Sequence, residues 1–404
     1  MNIAAENSGH YSGKRLFAPP LILGIIALGL VLRFAVAFHT RDCYRDWRQT
    51  GFHDIHAWVI AGGMVIDGVN PYAESYILDF APGWAWISAV PVSVAGKLDL
   101  GSIGASLLVK FVLSLADVFL AFMVYKICSQ VGRPAVLPVS LVALNPVSIL
   151  TTGYQGQFDN VTLLPIAIWI LLLLRWKQRN SGVDSAARAG ISGGLVGLSM
   201  MLKHSSGPLV LFLADWYRSW RYLALSLLVA VLLFTVAFLP YVEGAGIPEI
   251  YRDVFGQQQR NAGTFWATIA GWFGFEQPGN GLQKALWIVM VLLSAAIAKK
   301  KHMSILAASA FYYITIVLFA PSIARHYLIY PLLFGAIAYP LEVMVYSVAT
   351  SAFLLSSPRS AGPFCLFGST MDIWPVYIVL LLWWLRFALP DRLFSRAARA
   401  RWRP

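Results

Sequence analysis

The stretch TTGYQGQFDN, residues 151–160, lies between two of the most apolar runs of a 404-residue chain, and its reading decides the architecture. Gln155, Gln157 and Asp159 stand where the polypeptide enters or leaves lipid, and an ionised carboxylate at that depth is costly unless it is partnered. Outward from it, runs of about 17 to 25 apolar residues recur along the chain, the reach of a helix across roughly 30 Å of hydrocarbon. The composition agrees: 58% of residues are hydrophobic and 12% charged, with a mean hydropathy of +0.66, far too apolar for a water-soluble globule. Helices satisfy their own backbone in lipid, so the expected fold is an all-α polytopic membrane protein, a single membrane-embedded domain over 1–404. The polar start MNIAAENSGHYSGKRLF, 1–17, precedes a run without a small-residue cleavage site, read as a retained first helix.

The net charge of +12 does not point to nucleic acid, because the Lys and Arg residues collect in short turns between apolar runs. That asymmetry orients the chain. Lys14 and Arg15 place the N-terminus in the cytoplasm, and helix 1, about 18–38, leads to the far side. Residues 39–103 are kept outside as one long loop with interfacial helices, since a crossing at 81–96 would invert every later basic turn. Helix 2 (104–127) returns; helices 3 and 4 (134–152 and 157–176) bracket the opening stretch on the outer side. Helices 5 and 6 cover 188–217, interrupted by KHSSGP, and helix 7 ends near Tyr241. A second external loop spans 242–281, helix 8 leads to KKKH at 299–302, and helix 9 emerges at APSIARHY. Two short spans over 326–357 and a last helix near 373–388 make about 12 spans, with 11 as the alternative, and 12 keep the basic tail 389–404 inside.

On this topology five polar clusters share the external face: HDIH (53–56), QGQFD (155–159), KH (203–204), RDVFGQQQRN (252–261) and SIARH (322–326). Each also has a plain structural reading. Asp54 suits the start of an interfacial helix, Lys203 suits snorkelling to head groups, and Asp159 suits a helix cap with Gln155 and Gln157 on nearby backbone. Arg325 and His326 suit an interfacial anchor and a core histidine. Asp42 and Asp46 suit partnership with Arg41, Arg45 and Arg48. Lys110 and Asp117 share one face of helix 2, as an intramembrane ion pair or as bonds to neighbouring helices. Cys43, Cys128 and Cys365 match no metal-ligand or disulfide spacing, and neither a metal nor a cofactor is called for.

Taken together, the clusters suit a lipid-linked phosphate held at the water boundary. Lys203, Arg325 and His326 stand on helix ends at that depth, with His204 beside them and Arg260 in the loop above; charge-assisted bonds to phosphate are the strong kind. Cations set in advance stabilise the charge that builds on a departing phosphate. An acceptor hydroxyl must lose a proton during attack, and Asp54 is the candidate base, worth roughly 10² to 10⁴ in rate.

These segments resemble the integral-membrane glycosyltransferases of the GT-C class, which take sugars from polyprenyl- or dolichyl-phosphate donors. The nearest likeness is to the dolichyl-phosphate-glucose-dependent glucosyltransferases of N-glycan assembly and their bacterial relatives. It is carried by HDIHAWVIAGGMVIDGVNPY, FAPGWAW, LADVFLAF, LNPVSILTTGYQGQFDN, LKHSSGPLVLFL, RNAGTFW and SIARHYLIYPLL, in that order, over most of 20–335. The resemblance implies Asp54 as catalytic base and a donor-phosphate site to which Lys203, Arg325 and His326 belong. On that reading His53, His56, Gln155, Gln157, Asp159 and Trp266 line the sugar and acceptor space. It implies inverting transfer of a hexose, glucose or mannose, to a glycan or glycolipid acceptor on the periplasmic or extracellular face of the plasma (inner) membrane. Where the eukaryotic enzymes carry a His-Glu pair this chain has ARHY, so sugar selectivity does not carry over.

Two other classes compete. A secondary transporter of a polar or anionic solute also gathers ionisable groups in a bundle, but such proteins show internal repeats and broken helices at mid-membrane, and no repeat is found. A non-catalytic scaffold leaves Asp54 and Lys203 without a shared purpose.

Overall fold

A computed structural model of the chain describes residues 19–40, 53–73, 80–179, 182–255, 264–276, 279–356 and 372–389. Among these residues the fold is helical, with no strand and one isolated bridge between Val183 and Tyr217. In chain order the helices are α1 (Pro20–His39), α2 (His53–Ile66), α3 (Gly83–Lys97), α4 (Gly101–Gln130), α5 (Val136–Ala143), α6 (Pro146–Ile149), α7 (Asp159–Gln178), α8 (Ala186–Leu202) and α9 (Leu209–Phe212). They continue as α10 (Trp220–Val236), α11 (Leu239–Ala245), α12 (Ile247–Phe255), α13 (Phe265–Phe273), α14 (Asn280–Lys300), α15 (Ile305–Phe319), α16 (Leu332–Ala338), α17 (Pro340–Leu355) and α18 (Trp374–Ala388). Among the described residues five stretches are long and apolar enough to cross a bilayer: α1, α4, 136–155, α7 and most of α14. The α10–α11 pair, bent by 44°, makes a sixth. Several shorter apolar helices, among them α8, α15, α17 and α18, complete the bundle.

Every residue of α15 is buried. A helix apolar on all sides belongs in the middle of its bundle, and α14, α16 and α18 pack around it. The peripheral α1 and α14 turn most of their apolar side chains outward, as lipid-facing helices do.

The chain turns gather at two ends. At one, Gln178 donates to the Gln130 carbonyl at 2.9 Å and Arg133 to the Ile337 carbonyl at 2.7 Å. There too the Val183 and Arg218 backbones exchange bonds with Trp216 and Val183, and Lys301 donates to the Leu389 carbonyl. This end carries the basic turns. At the other, Asn70 donates to the Tyr241 carbonyl at 2.8 Å, Trp266 to the Phe319 carbonyl at 3.0 Å, and His204 packs on Phe255. Here α2 and α3 form a hairpin packed on α4, with α3 also touching α8, so the part of 39–103 that is described is folded onto the bundle rather than loose.

Three expectations change. Segment 134–152 is not one helix: Pro146 has no N–H to give, and the Asn145 side chain accepts from the Val147 N–H instead, restarting the chain as α6 and then a π-helical turn, Leu150–Gln155. The second helix expected within 188–217 is reduced to α9 flanked by 3₁₀ turns at His204–Ser206 and Ala214–Trp216. This irregular passage survives because Leu209, Val210 and Leu213 are fully enclosed by protein. Lys110 and Asp117 take the second of their two readings, since each bonds a neighbouring segment and Asp117 pairs with Arg33. The Asp42 and Asp46 cluster lies outside the described residues.

Arg33 ties α1 to the break. Its guanidinium bonds the Asp117 carboxylate, the Gly29 carbonyl at 2.9 Å, the Ala143 carbonyl at 2.6 Å and the Ser148 hydroxyl. Asn160 completes the Asp117 carboxylate from the other side. Gly29 permits the approach, because a Cβ there would meet the Ala143 oxygen at 2.5 Å. Removing one member of a buried pair leaves the other uncompensated, at a cost of about 3–5 kcal/mol. Arg33→Leu should therefore lower the thermal stability of the detergent-purified protein markedly, and Arg33→Leu with Asp117→Leu should recover much of the loss. Equal melting temperatures for wild type and Arg33→Leu would refute this account of the pair.

Candidate functional site

Three consecutive side chains at the end opposite the basic turns each reach a different element. The π-helical turn ends at Gly156, whose φ of 71° reverses the chain in a conformation that favours glycine. From there Gln157 donates its side-chain amide to Asp54 at the start of α2. Phe158 enters an aromatic cluster, stacked on Trp84 at 4.9 Å and edge-on to Trp58 and Phe80 at 5.1 and 5.2 Å. Asp159 starts α7 and accepts from Lys203 Nζ at 2.6 Å.

Asp159 has no exposed surface and Lys203 is 3% exposed. The ammonium faces four aromatic rings as well as the carboxylate: Tyr327 at 3.8 Å from the ring centre, Phe80 at 4.9, Phe158 at 5.6 and Tyr330 at 5.8 Å. Rings at these distances attract a cation through their negative faces. Lys203 occupies that spot because α8 ends there: its backbone turns extended, with φ of −155°. The Ser199 hydroxyl donates to the Thr162 carbonyl at 2.6 Å, fixing the end of α8 against the start of α7.

His326, in the short turn Arg325–Ile329, directs Nε2 to 3.8 Å from the second Asp159 oxygen. That spacing is too long for a hydrogen bond, and both atoms are buried without a hydrogen-bond partner among the described residues. The side-chain oxygens of Gln155 and Gln157 and Nδ1 of His204 are in the same condition. Buried polar atoms are ordinarily bonded, so these atoms carry hydrogen-bonding capacity that the neighbouring side chains do not use. Burial, opposed by Asp159 and assisted by the Lys203 charge, pushes the His326 imidazole down to about 3. Burial, with Lys203 assisting, pushes His204 down to about 4. At neutral pH both rings are therefore uncharged, and offer N–H donors and lone pairs rather than positive charge.

The expected residues thus divide. Asp54 with Gln157, and Asp159 with Lys203 and His326, come together through one segment. His204 turns against Phe255 of α12 at 5.0 Å between ring centres. Arg325, next to His326, lies over the Phe353 ring at 5.7 Å. Trp266 donates to the Phe319 carbonyl at the end of α15, a few residues before Arg325 and His326. His53 and His56 lie on the first turn of α2 beside Asp54; Arg260 lies outside the described residues. The sequence reading missed the cage of Phe80, Phe158, Tyr327 and Tyr330 around Lys203. The signal available was the aromatic neighbour of each polar motif, Phe158 in QGQFD and Tyr327 in ARHY.

No protein-family model matches the chain, and a comparison with curated proteins finds no relative.

A histidine held neutral by burial favours folding only while the unfolded form is also unprotonated. With the His326 value lowered from 6.5 to about 3, the unfolded chain binds the extra proton first, so stability falls as pH drops below about 6 and levels off near the lower value. Between pH 7 and pH 4 the unfolding free energy, followed through the melting temperature, should fall more steeply for wild type than for His326→Gln, by up to about 1.4 kcal/mol per pH unit. Parallel curves would contradict the assignment.

Proposed function

We propose that the protein is a membrane glycosyltransferase that moves a hexose from a polyprenyl-phosphate donor to a hydroxyl of a glycan or glycolipid. The observation that carries this reading is the junction at 157–159. There a carboxylate reachable from solvent, Asp54, and a buried carboxylate with a lysine and a histidine, Asp159 with Lys203 and His326, are set by three adjacent residues. The basic turns lie at the far end, and the asymmetry of charge puts them in the cytoplasm. With the roughly 12 spans expected from the sequence, that orientation keeps both termini cytoplasmic and turns the site to the periplasm or exterior.

In this reading the acceptor oxygen attacks the anomeric carbon while Asp54 takes its proton. The bond from the anomeric carbon to the phosphate oxygen breaks, and polyprenyl phosphate leaves with the electron pair. The bond forms opposite the one that breaks, so configuration inverts. Arg325 supplies positive charge to the departing phosphate; His326 and His204, neutral at the operating pH, supply N–H donors. Lys203, engaged with Asp159, orders the turn that presents them and adds its field at short range. Such preset dipoles and charges favour the transition state over the bound donor.

A transporter is the second reading, because a broken helix at Asn145 beside the buried Arg33–Asp117 pair is the kind of feature that solute pathways use. One experiment separates the two. Protein in nanodiscs is given labelled polyprenyl-phosphate glucose and polyprenyl-phosphate mannose with a membrane glycolipid extract, and protein in liposomes is assayed for solute uptake. Transfer by wild type and a loss of 10²-fold or more in Asp54→Asn is expected, within the range for a positioned base. Full transfer by Asp54→Asn removes it as base, and uptake without transfer favours the transporter.

A further inference from the structure

Lys110 has no place in the chemistry above, yet it is a lysine 1% exposed in the middle of α4. Its ammonium donates to the carbonyls of Gly153 and Tyr154 at 2.8 and 2.6 Å. These carbonyls belong to the last turn before the chain reverses, where a helix end leaves acceptors without partners of its own. The reversal at Gly156 is packed between two elements: a Cβ there would stand 3.0 Å from Ile55 Cδ1 and 3.1 Å from Lys110 Cε. Trp58 Nε1 takes the Gly156 carbonyl at 3.1 Å, and the Gln157 N–H goes to the Thr151 carbonyl at 3.1 Å. The backbone is therefore fixed at 153, 154, 156 and 157 before the Gln157 side chain begins. That side chain is 1% exposed and spends its amide on the Asp54 carboxylate.

We infer that Lys110 and Gln157 are positioning residues for Asp54: Lys110 clamps the turn through its carbonyls, and the Gln157 amide aims the carboxylate. This rests on Asp54 acting as base in the reading above. An amide suits the task because it orients a carboxylate while lowering its basicity less than a guanidinium or ammonium in contact would.

The decisive variant is Gln157→Glu, close in shape and opposite in effect, since a second carboxylate raises the pKa of the first. Nanodisc-held wild type, Gln157→Glu, Gln157→Leu, Lys110→Met and Asp54→Asn are compared in two measurements. The first is the pH profile of kcat/KM with labelled polyprenyl-phosphate glucose and a glycolipid extract. The second is an infrared pH titration of the protein alone, in which each variant is paired with its own Asp54→Asn double, so that subtraction isolates the Asp54 carboxylate band even where Gln157→Glu adds a second carboxylate. Expected are an acid limb and an Asp54 midpoint about one unit or more higher in Gln157→Glu. In Gln157→Leu and Lys110→Met, kcat should fall about 10- to 100-fold with KM little changed, the signature of lost alignment. An Asp54 midpoint in Gln157→Glu equal to wild type overturns the proposal, whether or not transfer is seen. Wild-type transfer by Asp54→Asn overturns instead the base assignment on which it rests. Because Lys110→Met also stresses folding, the near-isosteric Gln157→Glu decides the matter.

Discussion

A charge withdrawn from water inside a lipid-embedded bundle must find a partner nearby, and the arrangement of this protein follows from how it meets that demand. Asp117 is met by Arg33, Asp159 by Lys203, and the ammonium of Lys110 by backbone carbonyls. Each pairing joins segments far apart in sequence: α1 to α4, α7 to the end of α8, α4 to the π-helical turn. Desolvation makes such pairs weak sources of net stability, while breaking one is severe. Their effect is to fix which elements touch and in what register.

The break at Asn145–Pro146 is where these constraints meet. Arg33 takes carbonyls from the end of α5 and the Ser148 hydroxyl of α6, Lys110 takes carbonyls from the turn that follows, and Trp58 takes the next. Irregular backbone at membrane depth persists only when its polar groups are satisfied within protein. Here it ends in three residues that face three ways, and the functional reading depends on that divergence. Between Gln157, which bonds the exposed Asp54, and the buried Asp159, Phe158 stacks on Trp84 and meets Trp58 and Phe80 edge-on. Two carboxylates far apart in sequence, Asp54 and Asp159, are thereby tied to neighbouring residues in different surroundings, one exposed and one committed to a lysine.

Much of this was legible in the residues. Apolar run lengths placed α1, α4, α7, α14 and α18 within a few positions, and the basic turns fall beside the contacts of Gln130 with Gln178 and of Lys301 with Leu389. The motifs QGQFD, KH and SIARH were expected to converge, and Asp159, Lys203 and His326 do. The partners were harder to see. Arg33 stands in an apolar run where a guanidinium is costly, which signals a buried acid, but nothing local names Asp117, 84 residues away. Lys110 and Asp117 share a helical face, and that periodicity says nothing of the carbonyls and guanidinium that claim them. The interruption at KHSSGP was legible, but the helix expected after it, up to 217, is instead α9 between two 3₁₀ turns, an irregular path that enclosure by neighbouring helices makes tolerable. The aromatic cage of Lys203 is assembled from Phe158 just before α7, Phe80 before α3, and Tyr327 and Tyr330 before α16, a convergence that no window of sequence contains.

The central claim is that Asp54 and the turn carrying His326 share one chamber, across the bilayer from the basic turns. In a background with Cys43, Cys128 and Cys365 replaced, single cysteines at Asp54, Ala324 and Lys301 can be exposed to a membrane-impermeant maleimide on sealed, right-side-out vesicles. The account predicts labelling at 54 and 324 from outside and at 301 only after the membrane is opened. Labelling of 54 and 324 from opposite sides would contradict it.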